Sequence, residues 1–153
     1  MPVVVIPNLS SLKDLVGKEV AVTDWVEISQ ARIDRFAEAT DDQQWIHVDV
    51  ARATRESPFG ATIAHGFLTL SLLPHFLALA VRMEGVRMGV NYGLNRLRFT
   101  APVPVGSKLR ARFTLAGVED IEGGAQTTWQ VVLEREGSDK PVCVAEWLTR
   151  RHE

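Results

Sequence analysis

The chain has 153 residues, of which 46% are hydrophobic and 24% charged. These values are ordinary for a folded domain and exclude a disordered or fibrous chain. Its 17 basic and 19 acidic residues give a formal net charge of -2, which leaves no electrostatic argument for nucleic acid as a partner. A chain of this length can bury roughly 70% of the surface that its unfolded form exposes, so we expect a single domain over residues 1–153.

Short elements are predicted in the first part of the chain. Residues 19–28 are mostly β-prone and predict a strand. Ser29 predicts the cap of a helix with apolar residues at helical spacing, and residues 40–42 end that helix. Asp49 predicts the cap of a further helical turn, and residues 57–60 have the composition of a loop.

One long helix and an antiparallel sheet are predicted next. The helix covers residues 64–83 and is apolar nearly all round, as in a helix at the centre of a fold. Pro74 within it predicts a kink. Four strands divided by turn sequences follow over residues 87–99, 107–118, 125–135 and 141–150. This order predicts an α+β fold in which a sheet wraps around a helix.

The sequence also indicates a compartment. The first seven residues lack a basic segment, and their apolar run is too short for a signal peptide. Residues 66–81 carry no formal charge, but they are fewer than the roughly 20 apolar residues of a membrane span. Cys143, the one cysteine, lies in an apolar run typical of a buried strand. We therefore expect a cytoplasmic protein with no membrane partner.

Asp42 and His47 form the first cluster that could carry chemistry. One regular helix cannot bring two residues at this spacing together, but a turn can direct both side chains at one water. An ionised aspartate beside an imidazole of pKa about 6.5 suits general acid–base catalysis. Alternatively, the aspartate caps the following turn and the histidine bonds to backbone. A metal site of Asp42, His47 and Asp49 would lack ligands, because no second histidine or cysteine is nearby in sequence; we expect none.

His65 and Gly66 form a second cluster, at the start of the predicted long helix. Free N–H groups and the positive end of the helix dipole are found at such a position. A glycine lets a substrate carbonyl approach closely, so the Gly66 N–H is a candidate oxyanion donor. Alternatively, Gly66 only permits close packing of the helix against the sheet. His65 is expected to orient the preceding loop rather than to move protons.

Together these segments resemble the MaoC-type (R)-specific enoyl-CoA hydratases, also called hydratase 2, and within them the nodulation-protein-N-like branch. The resemblance is carried by Asp42 and His47 with four residues between them, by the downstream His65-Gly66, and by the strand and turn over residues 91–103. It covers about residues 20–150. Many members have Asn-Pro where this chain has Gln44-Trp45, a departure that bears on the substrate more than on the reaction.

The resemblance implies a hot-dog fold, in which the sheet wraps a long central helix, and a homodimer with its substrate tunnel near the interface. It implies reversible syn addition of water to a trans-2-enoyl-CoA, giving an (R)-3-hydroxyacyl-CoA. Asp42 and His47 would hold the water and move its protons, in an order that the sequence leaves open, and the Gly66 N–H would stabilise the enolate-like oxygen. No cofactor is implied, because coenzyme A enters as part of the acyl-CoA thioester substrate.

Two other functions are compatible with this fold. A hot-dog acyl-CoA thioesterase would hydrolyse the thioester, but such thioesterases generally lack the arrangement of Asp42, His47 and Gly66. A non-catalytic acyl-CoA-binding subunit of a heteromeric dehydratase would be expected to have lost Asp42 or His47.

Basic residues repeat along two predicted strands and either meet the phosphates of CoA or form a solvated face: Arg96, Arg98, Lys108, Arg110 and Arg112.

Overall fold

The computed structural model describes residues 2–153 of the chain. Its first half contains the strands β1 (Val4–Ile6), β2 (Glu19–Val22) and β3 (Val26–Glu27), a 3-10 helix (Leu9–Leu15), and the helices α1 (Gln30–Thr40), α2 (Trp45–Val48) and α3 (Val50–Glu56). Its second half contains the helices α4 (Gly66–Ser71) and α5 (Leu73–Ala80) and the strands β4 (Val81–Met83), β5 (Met88–Arg98), β6 (Lys108–Ile121), β7 (Gly124–Arg135) and β8 (Cys143–His152).

The main sheet is antiparallel and has the strand order β2-β6-β7-β8-β5, with β3 also paired to β6. Its four long strands are the four that turn chemistry predicted, with ends displaced by a few residues. Strands β6, β7 and β8 alternate buried and more exposed residues over most of their length, because one face of the sheet covers the core. Strand β5 forms an edge and is exposed along most of its length.

The core lies between this sheet and the helices α4 and α5. Leu68, Leu73 and Phe76 from the helices are buried in one cluster with Phe113 and Trp129 of the sheet. The Phe113 and Trp129 rings meet edge to face at 5.8 Å, an arrangement that aromatic quadrupoles favour. The α+β fold with a sheet wrapped on helical structure is therefore confirmed.

Cys143 is buried in β8, as the apolar run around it predicted. Burial raises the pKa of its thiol to about 11. The reactive thiolate is therefore scarce at neutral pH, and Cys143 serves the core rather than the chemistry.

The helix predicted over residues 64–83 is wrong at its centre and at both ends. Leu72 separates α4 from α5, and Pro74 lies in the first turn of α5, where its missing N–H leaves no bond unmade. The helix begins only at Gly66. It ends at Ala80 because Val81 starts β4, which pairs in parallel with β1. No helix among residues 2–153 has the length and hydropathy to cross a membrane.

The strand predicted over residues 19–28 is two short strands. Between them the Thr23 hydroxyl accepts a hydrogen bond from the Ala111 N–H at 3.0 Å, and the Thr23 N–H donates to the Ala111 carbonyl. The side chain thus takes the place of a regular ladder bond, and pairing resumes at Val26 opposite Leu109. Trp25, which was expected in a strand, lies between the two strands beneath the Arg110 guanidinium.

The predicted caps around the first helices are confirmed, and they position the next segment. The Ser29 hydroxyl accepts from the Arg32 N–H at 3.2 Å, which fixes the start of α1. Asp41 ends α1 in the left-handed region, at φ 60°. The Asp49 carboxylate accepts from the Arg52 N–H at 3.0 Å and caps α3. The residues between these two ends, including Asp42 and His47, are held in a tight connection.

Candidate active site

The site forms where the segment of residues 42–47 meets the segment of residues 62–66. His47 Nδ1 lies 2.6 Å from the Ile63 carbonyl oxygen, and His65 Nε2 lies 2.9 Å from the Asp42 carbonyl oxygen. The Ile63 N–H donates to the Ile46 carbonyl at 3.0 Å. Each histidine is therefore held by the backbone of the opposite segment.

Gln30 joins both segments to the first turn of α1. Its side-chain amide donates to the His47 carbonyl at 2.8 Å, and its amide oxygen accepts from the Thr62 hydroxyl at 2.6 Å. Gln30 was not predicted from the sequence, because a polar side chain in a first helical turn normally faces solvent. No local pattern marks it; only its contacts, 17 and 32 residues away along the chain, show its role.

Three titratable side chains converge at this point. A carboxylate oxygen of Asp42 and one ring nitrogen each of His47 and His65 all lie within 4.8 Å of one another. The two imidazole rings are stacked, with centroids 3.8 Å apart. His47 and His65 are only 7% and 3% exposed, whereas Asp42 is exposed. The convergence predicted for Asp42 and His47 is present, and His65 joins it through its hydrogen bond to the Asp42 carbonyl.

The backbone sets the tautomer of His47. A carbonyl oxygen can only accept, so Nδ1 carries the hydrogen and Nε2 has the free lone pair. Burial lowers the pKa of His47 below 6.5; the hydrogen bond to Ile63 partly offsets this, the His65 ring lowers it further and the Asp42 charge raises it. His47 is thus a neutral imidazole at pH 7, with Nε2 able to accept a proton.

The fold brings a second histidine, distant in sequence, to the possible metal site. His65 supplies a second histidine beside Asp42 and His47, while Asp49 is occupied as the cap of α3. One nitrogen of each imidazole already bonds to a carbonyl oxygen. The two rings are stacked, with planes 23° apart, and at most one nitrogen of each ring and the Asp42 carboxylate remain for an ion. These three side chains are fewer than the four ligands of a structural zinc site.

Gly66 is the first residue of α4 and lies beside a cavity of about 350 Å³. Within residues 2–153, no group accepts a hydrogen bond from its N–H. A Cβ at this position would come 2.7 Å from the Phe99 ring, which lines the same cavity. Both alternatives from the sequence therefore stand together: the glycine permits close packing, and its N–H is free to donate.

The basic row on β6 is engaged in ion pairs. Arg110 and Arg112 both donate to one carboxylate oxygen of Glu134, at 3.0 and 2.7 Å, and Arg112 also contacts Glu19. These pairs favour the solvated sheet face over a site for CoA phosphates. Arg96 and Arg98 on β5 are exposed.

Comparison with known proteins bears on this geometry. The family model described as MaoC like domain matches residues 11–136. The 3-hydroxyacyl-thioester dehydratase Z of Mycobacterium tuberculosis is 50% identical over 144 residues, which cover 94% of this chain and 95% of the relative. The chain belongs to the MaoC-like dehydratase family. Membership makes it an enzyme of the hydratase and dehydratase class.

Two further similarities refine this assignment. Nodulation protein N of Rhizobium leguminosarum bv. viciae is 43% identical over 150 residues, covering 93% of this chain and 89% of the relative, which confirms the branch. The structure of the R-hydratase PhaJ1 from Pseudomonas aeruginosa superposes with a TM-score of 0.72 at 23% identity, covering 97% and 88% of the two chains. That likeness confirms the hot-dog fold.

The protonation of His47 can be measured by NMR on ¹⁵N-labelled protein. We expect the Nδ1–H tautomer and a titration midpoint below 6.5. Asp42→Asn removes a charge that favours the imidazolium and lowers the midpoint further, whereas His65→Gln removes a neighbouring imidazole and raises it. A midpoint at or above 6.5 in the unsubstituted protein would contradict the account of burial.

Proposed function

We propose that this MaoC-like protein catalyses the reversible syn hydration of a trans-2-enoyl-CoA to an (R)-3-hydroxyacyl-CoA, without a metal or redox cofactor. The observation that carries the proposal is the convergence of a neutral His47 with the Asp42 carboxylate. The free N–H of Gly66 follows directly after His65, which stacks on His47 and bonds to the Asp42 carbonyl. The names of relatives agree, since they include a 3-hydroxyacyl-thioester dehydratase and a 3-hydroxybutyryl-CoA dehydratase. The single, buried Cys143 is consistent with a reducing cytoplasm.

In the proposed reaction His47 Nε2 takes a proton from a water that the Asp42 carboxylate orients. The water oxygen bonds to C3, and the C2–C3 π pair moves toward the thioester carbonyl, whose oxygen becomes enolate-like and accepts from the Gly66 N–H. The enolate pair then takes the proton from the His47 imidazolium at C2. One water has added as OH on C3 and H on C2, and His47 is neutral again. A relay from one face gives syn addition.

A homodimer is part of the proposal. Within residues 2–153, no strand pairs with the outer edge of β5. The edge carries exposed apolar side chains, with Val90 44% and Tyr92 55% exposed. An unpaired, apolar edge strand is a liability for a soluble monomer, and pairing with β5 of a second copy would cover it.

The acid–base roles can be tested by substitution. Asp42→Asn and His47→Gln should each lower kcat by about 10²–10⁴-fold, the usual scale of acid–base catalysis, with the fold intact by circular dichroism. The assay follows loss of the conjugated thioester absorbance with crotonyl-CoA and a longer trans-2-enoyl-CoA, and an (R)-specific coupling enzyme reads the product. Asp49→Asn, at the cap of α3, is the matched control and should retain activity.

Two results would contradict this assignment. Unchanged turnover in either active-site variant would remove the acid–base pair from the mechanism. Release of free CoA thiol without hydration would indicate the thioesterase, and neither signal would indicate a binding subunit.

The Gly66 N–H can be separated from the packing role of the glycine. Proline is favoured at the first position of a helix and removes only the N–H there. In a Phe99→Ala background, which makes room for a side chain at residue 66, Gly66→Pro should lower kcat by about 10²–10³-fold relative to Gly66→Ala. Equal rates for the two double variants would show that Gly66 serves packing alone.

The dimer can be tested by light scattering after size-exclusion chromatography. The unsubstituted protein should have the mass of two chains, and Val90→Lys should have the mass of one, because it places a charge on the apolar edge. Val50→Lys, at an exposed valine on α3, is the control and should remain dimeric. A monomeric unsubstituted protein would contradict the proposal.

A further inference from the structure

Cavities follow one another along the side of α4 and α5 that faces β5. The first lies beside Gly66, the second has a volume of about 310 Å³ and the third of about 390 Å³. Residues of α4, α5 and the first residue of β4 line the second and third, most of them about one turn apart: Leu70, Ser71, Leu73, Pro74, Leu77, Ala78 and Val81. Leu70 of the second cavity follows Thr69 of the first along α4, and the second and third cavities share Pro74, Asn91 and Trp147. We call this series the helix–strand groove.

The far end of the helix–strand groove is polar and cationic. Along the inner face of β8, the buried residues Ala145 and Trp147 are followed by Thr149 and then by Arg151. Arg87 and the Asn91 amide line the same cavity. No aspartate or glutamate is among its lining residues, so its charge is positive.

The Arg151 guanidinium lacks an acidic partner. Within residues 2–153 it makes no ion pair or hydrogen bond, and its Nε is buried and unsatisfied. Burial also lowers the pKa of Arg151. A half-buried charge without an acidic partner is unfavourable, and an arginine fork is suited to a carboxylate. The far cavity therefore has the charge, the donors and the space for an anionic group.

Gly89 leaves room for the Arg151 guanidinium in the far cavity. It lies directly opposite Arg151 in the ladder between β5 and β8. A Cβ at Gly89 would overlap Nη1 of Arg151, so the missing side chain makes room for the charged group against β5. A substitution that adds a Cβ at Gly89 would therefore displace the Arg151 guanidinium without removing its charge.

We propose that the far end of the helix–strand groove binds a carboxylate, and that the preferred substrates are enoyl thioesters whose acyl chain ends in one. The inference rests on the proposed function, which puts the thioester carbonyl at Gly66. Pro74 and Ala78, in the far cavity, lie at most about 12 and 18 Å from Gly66 along α4 and α5, at 1.5 Å per residue across the break at Leu72. An extended chain advances about 1.2 Å per bond, so acyl chains of about ten to fifteen carbons would reach Arg151.

The test compares two trans-2-enoyl-CoA substrates of equal length, about twelve carbons, one ending in a methyl group and one in a carboxylate. The unsubstituted protein should favour the carboxylated substrate by about 10–100-fold in kcat/KM, the scale of a charge-assisted hydrogen-bonded pair. Arg151→Met should abolish this preference, chiefly through KM, and leave turnover of the methyl-ended substrate intact. Arg150→Met, on the opposite face of β8, is the matched control and should keep the preference.

Two further variants guard against a folding failure. Gly89→Ala displaces the guanidinium while retaining its charge and should weaken the preference. Arg151→Lys keeps a cation and should retain part of it. Arg151→Met itself should unfold at the same or a higher temperature than the unsubstituted protein, because it replaces an unpaired half-buried charge with an apolar group.

A binding measurement separates failure of this inference from failure of the proposed function. Calorimetry with saturated, non-reacting acyl-CoA analogues should show tighter binding of the carboxylated one, even if no hydration were detected. Equal or weaker binding would overturn the inference, and hydration of the methyl-ended substrate would then leave the function standing.

Two more outcomes would overturn it. One is competition by a free dicarboxylate in a protein that shows no preference among thioesters, which would indicate an anion site unconnected to the substrate. The other is an Arg151→Met variant that loses the dimer and keeps its substrate preference, which would indicate pairing with a carboxylate of a second copy.

Discussion

The exchange of hydrogen bonds between two loop segments is the constraint on which the site depends. His47 bonds to the Ile63 carbonyl and His65 to the Asp42 carbonyl, so neither segment can move without freeing a buried polar group of the other. One such bond contributes about 1 kcal/mol, but a buried donor or acceptor left unsatisfied costs about 1–3 kcal/mol. Gln30 extends the linkage to α1. These bonds thereby fix α1, α2 and the start of α4, which carries the Gly66 N–H, relative to one another.

The same bonds determine the chemistry. The contact that fixes the position of His47 also fixes its tautomer, and the burial that this contact requires lowers its pKa. The neutral state of the His47 imidazole at pH 7 is therefore a consequence of the contact between the two loop segments. The Asp42 carboxylate, held by its backbone and exposed at its side chain, remains open to a water and to a substrate. The contact with Ile63 thus sets both the position and the protonation state of His47.

Local signals predicted much of the fold. Ser29 and Asp49 were recognisable as caps, because a cap depends only on residues within one turn. Turn sequences between the strands predicted the sheet for the same reason. Pro74 predicted a kink, and the helix is interrupted at Leu72, two residues before it. The end of the helix at Ala80 could not be predicted, since β4 exists through pairing with β1 at the other end of the chain.

The contacts of the candidate site were likewise predicted only where they depend on residues close together in the sequence. The pairing of Asp42 with His47 depends on one short turn, and their spacing pointed to it. His65 was singled out beside Gly66, but the carbonyl that it contacts lies 23 residues away, and the contacts of Gln30 are 17 and 32 residues away. These contacts became visible only once the two segments were folded against each other.

The departure at Gln44-Trp45 bears on where substrate choice originates. Trp45 begins α2, a position whose N–H has no partner within its helix, so a proline and a tryptophan are both compatible with it. Its ring is covered by the Arg52 guanidinium at 4.2 Å, and Trp45 lines none of the three cavities of the helix–strand groove. The substitution therefore changes the start of α2 and leaves the groove unaltered. If the groove holds the acyl chain, specificity is set by residues of α5, β5 and β8, far along the chain from the motif that identifies the reaction.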